Sequence, residues 1–141
     1  MGKKYEFTGE TIEYDGHTLH RIKRLSDGLV GGWIESEKNL SHDGDCFVYD
    51  DAKVFGDAIV QDNAKVYDSA VVCGNAKIYE HAWIRDTAKV YGRAWICQDA
   101  IVKENAKVYG MAVVTERATL LGNAKISGRS EIHGRTVIDD Y

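Results

Sequence analysis

The sequence predicts an all-β protein, a triangular solenoid of about five 18-residue coils with an N-terminal β-hairpin cap. Three observations lead to this fold class. A six-residue motif of the type NAKVYG recurs without insertion over residues 45–140, glycine recurs every 18 residues within it, and proline is absent from the chain. Because proline would remove a backbone donor from a strand ladder, its absence suits a chain made mostly of strands.

Each of the sixteen hexads has the same order of side chains. One position is small, being alanine in the thirteen hexads from Ala52 to Ala124, and the position two residues later is always aliphatic. This alternation is typical of a strand, whereas a period of six does not keep one face of a helix aligned. The last two positions, which we call the first and second corner positions, are mostly Asp, Asn, Gly, Glu, Ser or Thr, and these residues favour a bend. The inward aliphatic residues are Val48, Val54, Val60, Val66, Val72, Ile78, Ile84, Val90, Ile96, Val102, Val108, Val114, Leu120, Ile126, Ile132 and Ile138.

Glycine indicates how many hexads make one turn. It occupies the first corner position of every third hexad, at Gly56, Gly74, Gly92, Gly110 and Gly128. Corners often require a positive φ, which glycine adopts without steric cost. Three hexads per turn therefore predict a triangular coil with these glycines stacked along one edge.

Residues 18 apart then stack, which sorts the outward side chains into three faces. Seven of the twelve residues of face 1 are apolar or aromatic, face 2 alternates lysine with aromatic residues, and face 3 is mixed. Face 1 comprises Phe47, Tyr49, Lys65, Tyr67, Trp83, Arg85, Ile101, Lys103, Thr119, Leu121, Val137 and Asp139. Face 2 comprises Lys53, Phe55, Val71, Cys73, Lys89, Tyr91, Lys107, Tyr109, Lys125 and Ser127, and is expected to face water. Face 3 comprises Ile59, Gln61, Lys77, Tyr79, Trp95, Cys97, Val113, Thr115, Glu131 and His133.

Residues 1–44 are predicted to be a hairpin and capping segment, and residues 45–141 the solenoid. Two strands on either side of Asp15-Gly16 predict a hairpin with a two-residue turn, and residues 26–32 are expected to form a loop. Covering the first open strand edge would protect it from aggregation. We interpret the cap histidines as exposed polar positions; they are His17, His20 and His42.

The hexads resemble those of the hexapeptide-repeat left-handed β-helix family, which includes bacterial acyltransferases and γ-class carbonic anhydrases. The segments YEFTGET, GHTLHRI and GGWIES of the cap are similar to uncharacterised hexapeptide-repeat proteins of phages and prophages, which are often described as transferases. The resemblance implies a left-handed coil and the option of a trimer packed along its prisms. It also implies that an acyltransferase of this kind would use a histidine as general base.

Composition narrows the environment and the partners. A net charge of −4 argues against nucleic acid as a partner. No 18-residue apolar run or leader-like segment is present, so we expect a cytoplasmic protein that does not cross a membrane. Three cysteines without CxxC spacing predict neither a disulfide framework nor a zinc site, and we predict no bound metal. The carbonic anhydrase pattern of histidines is not met, because only His81 and His133 lie within residues 45–141.

A candidate site lies at the corner between face 3 and face 1. His81 is expected to stack between Asn63 and Asp99, so that Asp99 could orient the imidazole for service as a general base. The alternative interpretation is a corner residue in water. The residues predicted to contact a ligand are Asp62, Asn63, Glu80 and Gln98.

Two functions from different classes remain open. The first is a non-catalytic, oligomeric binding or scaffold protein of phage or prophage type, without a cofactor, that binds a host protein or a small ligand such as a nucleotide. The second is an acyltransferase that uses acetyl-CoA and His81. A face as apolar as face 1 predicts a homo-oligomer, either a dimer or a trimer. The predicted interface residues are Phe47, Tyr49, Tyr67, Trp83, Ile101, Leu121 and Val137.

Overall fold

The structure, a computed structural model, describes residues 2–140, so Met1 and Tyr141 of the predicted segments lie outside the described residues. Three sheets form the walls of a β-solenoid, one for each predicted face. The face 1 sheet contains β4 (Phe47–Val48), β7 (Lys65–Val66), β10 (Trp83–Ile84), β13 (Ile101–Val102), β16 (Thr119–Gly122) and β19 (Val137–Asp140). The face 2 sheet contains β1 (Tyr5–Tyr14), β2 (His17–Arg24), β3 (Val30–Ile34), β5 (Lys53–Val54), β8 (Val71–Val72), β11 (Lys89–Val90), β14 (Lys107–Val108) and β17 (Lys125–Ile126). The face 3 sheet contains β6 (Ile59–Val60), β9 (Lys77–Ile78), β12 (Trp95–Ile96), β15 (Val113–Val114) and β18 (Glu131–Ile132), and a 3₁₀ helix spans Glu37–Asn39.

The predicted turn of 18 residues is confirmed by the strand register. Lys89 of β11 pairs in parallel with Lys107 of β14, and the same offset joins the neighbouring solenoid strands of all three sheets from residue 47 onward. The hydrogen bonds between coils follow one rule, in which the N–H of Lys89 donates to the carbonyl of Ala106 at 3.0 Å. The backbone groups of the strands are therefore satisfied by the neighbouring coils, whereas the alanine after a corner donates within its own coil, as Ala88 does to the Arg85 carbonyl at 3.2 Å.

The core is the predicted column of aliphatic and small side chains. The inward valines, isoleucines and leucine are fully buried from Val48 to Leu120, and the alanines beside them are no more than 1% exposed. Ile126 is 9% exposed, and Ile132 and Ile138 are only partly buried. Hydrophobic burial is thus continuous along the solenoid axis and decreases towards its C-terminal coil.

The solenoid has about six turns rather than five, because β3 already belongs to it. Trp33 and Ile34 pair in parallel with Lys53 and Val54, an offset of 20 residues. Gly32 occupies the small inward position, and a Cβ there would lie 2.5 Å from the Ala52 carbonyl oxygen. The expected loop over residues 26–32 is therefore wrong at its end, since a strand begins at Val30.

The hairpin cap is confirmed, and it does more than cover the first coil. Its turn has positive φ at both Asp15 (52°) and Gly16 (79°), as a two-residue hairpin requires. Tyr5 of β1 and Ile22 of β2 belong to the main core. The other part of the hairpin packs outside the solenoid on the first coils of face 2, so the expectation that this face meets water holds only for its later coils. The buried side chains between the hairpin and face 2 form a second hydrophobic cluster, which consists of Leu19, Trp33, Phe55 and Val71.

The cap histidines are not free polar positions, which corrects our interpretation of them. The ring of His17 contacts Phe55 at a tilt, with centroids 4.8 Å apart, and its Nδ1 lies 3.0 Å from a carboxylate oxygen of Glu35. His20 stacks on Phe7 with ring centroids 4.4 Å apart. The pKa of Glu35 is lowered, first by this hydrogen bond with His17 and then by the backbone N–H of Gly56.

His42 makes the second histidine–glutamate pair of the cap. Its Nε2 lies 2.7 Å from Oε1 of Glu37, its Nδ1 accepts the backbone N–H of Lys4 at 3.0 Å, and its ring stacks on Tyr5. The pKa of Glu37 is lowered, mainly by the hydrogen bond with His42. Both ends of the hairpin are therefore fastened to the solenoid through a histidine and a glutamate.

The first corner positions share one backbone conformation, with positive φ, but are occupied either by glycine or by a polar residue. From Asp50 to Gly134, every first corner residue has a positive φ between 55° and 69°, whether it is glycine, Asp, Glu or Gln. Where Asp or Glu stands there, its carboxylate can accept the backbone N–H of the residue one coil above, as Asp68 does from Asp86 at 3.1 Å. In the middle of the glycine edge a side chain would clash with the next coil, because a Cβ on Gly92 would lie 2.7 Å from the Gly110 nitrogen.

Candidate functional site

The residues of the predicted site lie on the edge between face 3 and face 1. Glu80 and Gln98 occupy the first corner positions with φ of 58° and 55°, and His81 and Asp99 occupy the second. Consecutive coils are joined there by the backbone N–H of His81, which donates to the Gln98 carbonyl at 2.9 Å. The edge therefore displays one polar side chain from each coil in two parallel rows.

Several of the predicted ligand-binding residues are engaged in holding the coils together. Asp62 accepts the backbone N–H of Glu80 at 3.0 Å, and the amide oxygen of Asn63 accepts the N–H of Asp45 at 3.1 Å. Gln98 accepts a hydrogen bond from the Thr115 hydroxyl at 3.0 Å. These three side chains have a structural role, whereas the carboxylate of Glu80 has no hydrogen-bond partner within residues 2–140.

The side chains of His81 and Asp99 are neighbours without being partners. Both are exposed, and in the described part of the chain neither imidazole nor carboxylate takes part in a hydrogen bond or ion pair. The geometry thus places the two groups side by side, but Asp99 does not orient the imidazole through a hydrogen bond. A ligand could use the donor and acceptor capacity of both groups without breaking any contact of the fold.

Two open grooves meet at this pair of residues. The first runs onto face 1, where the 40% exposed indole of Trp83 forms one side and Lys65 adds a positive charge. The second follows the edge upward and is lined by acidic residues and by two arginines. The additional lining residues of the first groove are Asn63 and Ile101, and those of the second are Glu80, Gln98, Glu116, Arg117, Gly134 and Arg135.

Face 1 carries a ladder of aromatic rings that rises along the wall. Tyr49 stacks on Tyr67 with centroids 4.8 Å apart, and Tyr67 meets the edge of Trp83 at 6.0 Å. Phe47, at the base of the ladder, is only 1% exposed because the cap covers it, and Arg24 lies over its ring. The accessible apolar stripe therefore starts at Tyr49 and continues through Trp83, which is exposed, to Val137, which is 63% exposed.

The described residues include neither a cluster of metal ligands nor a long apolar helix, and two of the three cysteines are buried. Within residues 2–140, no group of three or more His, Cys, Asp or Glu side chains is arranged to hold a metal ion. In the same part of the chain, no helix has the length and apolar character needed to cross a membrane. Cys46 and Cys97 are buried, and desolvation raises the pKa of the Cys46 thiol.

Comparison with known proteins adds no family assignment. No protein-family model matches the chain, and no curated protein matches it. The parallel solenoid with an 18-residue turn agrees with a hexapeptide-repeat β-helix.

Proposed function

We propose that the protein is a non-catalytic, homo-oligomeric binding protein of phage or prophage type in the cytoplasm, whose prisms pack through face 1. The observation that carries the proposal is the apolar stripe that runs along this face from Tyr49 to Val137. The stripe is half-buried except at Trp83 and Val137, which are exposed, and an apolar stripe of this length favours an association surface over scattered surface residues. The occupant that we propose is a second copy of the same chain, in a dimer or a trimer. The phage or prophage setting derives from the sequence resemblance alone.

The central anchor of this interface is the indole of Trp83. It lies midway along the stripe, it is 40% exposed, and Tyr67 supports it from the coil below. Aromatic residues of this kind are frequent hot spots, because they bury a large area at a low cost in side-chain entropy.

Substitution of Trp83 by glutamate tests the interface. The expected result is a shift of the assembly to monomer in gel filtration with light scattering, since the packing of the indole is lost and the carboxylate must leave water, a cost that pairing with Lys65 offsets only in part. Trp95→Glu is the matched control, because Trp95 has a similar exposure of 43% but lies on face 3. A monomeric wild-type protein, or an assembly that survives Trp83→Glu, would refute the proposal.

A ligand of the assembly would occupy the groove that joins Trp83, Lys65 and His81, beside the packed prisms. An indole for stacking, an ammonium group and an unpartnered imidazole suit a small ligand with a ring and an anionic group, such as a nucleotide. A thermal-shift panel of nucleotides tests this part, because a ligand that binds the folded state raises the melting temperature. Loss of the shift in Trp83→Leu would support the groove, and an equal shift in that variant would exclude it.

The acyltransferase alternative is favoured by one observation, which is that the imidazole of His81 lines both grooves and is unpartnered within residues 2–140. Against it stands the regular register from Phe47 to Asp140, which leaves no extruded loop to shape an acyl-CoA site. A thermal shift with acetyl-CoA that disappears in His81→Ala, together with acetyl transfer to an acceptor, would favour the enzyme over the binding protein.

A further inference from the structure

A separate groove lies between the cap and the base of face 1, away from His81. It offers about 520 Å³ of space and is open on one side. Three chain segments that are distant in sequence contribute a cation each: Lys4 precedes β1, Arg24 ends β2, and Lys65 begins β7. The remaining lining residues are Ser26, Asp45, Cys46, Phe47 and Tyr49.

The three cations are not equally committed to the fold. The ammonium of Lys4 donates to the carbonyls of Gly44 and Cys46, so it contributes its charge but little donor capacity. Arg24 binds Asp27 through Nε at 3.1 Å and through Nη2 at 2.7 Å, which leaves further N–H groups of its guanidinium available. The ammonium group of Lys65 has no hydrogen bond or ion pair within the described residues, and all three of its donors are available.

Neutral donors complete the lining. The hydroxyl of Tyr49 accepts a long hydrogen bond of 3.4 Å from Nη1 of Arg24, and its own hydrogen is unassigned to any acceptor. The hydroxyl of Ser26 has no partner in the described part of the chain. Donors therefore outnumber acceptors in this groove, which is the composition that recognises an oxyanion.

Recognition of an aromatic ring, or covalent chemistry at the thiol, does not fit this groove. One face of the Tyr49 ring is stacked on Tyr67, and the guanidinium of Arg24 lies 5.9 Å from its centroid. Cys46 is fully buried, and its Sγ lies 3.2 Å from the Lys4 ammonium, so it is not accessible as a nucleophile. Asp45 is the one acidic group of the lining, and the Asp27 carboxylate pairs with Arg24 beside it, so the three cations and these two carboxylates leave a formal charge of 3 − 2 = +1.

We propose that this cap groove is a binding site for a small ligand with an oxyanion, either a phosphate monoester or a carboxylate, held by Lys65, Arg24 and the Tyr49 hydroxyl. The site does not include His81, but it shares Lys65 with the groove beside Trp83 and shares Tyr49 with the proposed oligomer surface. Because the Lys4 and Arg24 positions depend on the cap, the ligand would bind only when the hairpin is docked on the solenoid. It would thereby stabilise the docked cap by linkage.

The test uses phenyl phosphate, benzoate and benzyl alcohol as probes, which share a ring and differ in the oxyanion. Titration of the ¹⁵N-labelled full chain, followed by amide chemical shifts, is expected to give saturable changes at residues 24–27, 45–49 and 65 with an oxyanion probe and none with the alcohol. Binding of only one oxyanion identifies the ligand class. No saturable change with either oxyanion, or changes located elsewhere, would overturn the proposal.

Charge variants sharpen the test in two opposite directions. Lys65→Gln is expected to weaken binding about tenfold, since a charge-assisted hydrogen bond is lost, and Asp45→Asn is expected to tighten it. Lys107→Gln and Asp57→Asn change the net charge equally at sites with similar exposure on other parts of the solenoid. Equal effects of the variants and their controls would show a general charge effect and refute the site.

Discussion

Substitution of Gly92 by alanine tests the stacking of coils at a single atom. Gly92 has a φ of +67°, and a Cβ there would lie 2.7 Å from the nitrogen and 2.9 Å from the oxygen of Gly110, one coil above. Gly128 has nearly the same φ of +65°, yet its Cβ would have no neighbour within 4 Å. The two sites therefore share the backbone strain and differ in the contact with the next coil.

The magnitudes follow from these two terms. An alanine at positive φ destabilises the folded state by about 1–2 kcal/mol. Alanine also makes the unfolded chain less flexible than glycine does, and this offsets about 0.4–1 kcal/mol of the loss. Gly128→Ala should therefore lower the free energy of unfolding by about 1 kcal/mol. At Gly92 the overlap with backbone atoms adds about 1–3 kcal/mol, because an overpacked site must move its neighbours. The expected loss for Gly92→Ala is then about 2–4 kcal/mol.

Urea denaturation followed by circular dichroism measures both losses. The comparison requires equal m-values, since a change in slope would mean that the unfolding transition is no longer the same. Equal losses of stability in the two variants would refute the reasoning, because the contact between Gly92 and Gly110 would then contribute nothing.

Two further predictions concern the corners and the cap. Asp68→Ala should lower the free energy of unfolding by about 1 kcal/mol in the same assay, since the N–H of Asp86 loses its acceptor. Asp68→Asn keeps an oxygen there and should lower it by less than half as much. Equal losses in the two variants would contradict this role of the side chain. The lowered pKa of Glu35 stabilises the docked cap fully above the unfolded value, near pH 4.3, and this contribution is lost as the pH falls through the folded pKa. The melting temperature should therefore fall below pH 4 less steeply in Glu35→Gln than in the wild type, and identical pH profiles would exclude the effect.

The regular part of the fold could be predicted because one physical rule repeats in it. Alternation of a small and an aliphatic residue identified the inward positions, and the period of the glycines identified the number of walls. The turn before residue 45, which Trp33 and Ile34 were expected to enter, was not counted among the regular coils, because Ile34 and Val54 are 20 residues apart, which breaks the period. The triplet Gly32–Trp33–Ile34 nevertheless repeats the small, outward, aliphatic order, and this was the signal available in the sequence.

The sites could be predicted less well, because they depend on side-chain partners rather than on periodicity. Stacking correctly placed His81 beside Asp99, but it could not show that the two side chains remain unpaired. The cap groove joins Lys4, Arg24 and Lys65, and their convergence depends on how the hairpin folds back on the solenoid. No spacing in the sequence encodes that contact. The covered position of Phe47 has the same origin.

Disulfide trapping tests the 18-residue turn of the solenoid most directly. Lys89 and Lys107 are register partners in adjacent parallel strands, about 4.8 Å apart, and this spacing lies within the range that a disulfide spans. In a Cys73→Ser background, the pair Lys89→Cys with Lys107→Cys is expected to form an intramolecular disulfide under mild oxidation, seen by mass spectrometry of the digested protein. The pair Lys77→Cys with Lys89→Cys, which lies on two different walls, should not form one. Cross-linking of the second pair in preference to the first would contradict the three-walled solenoid on which every site described above depends.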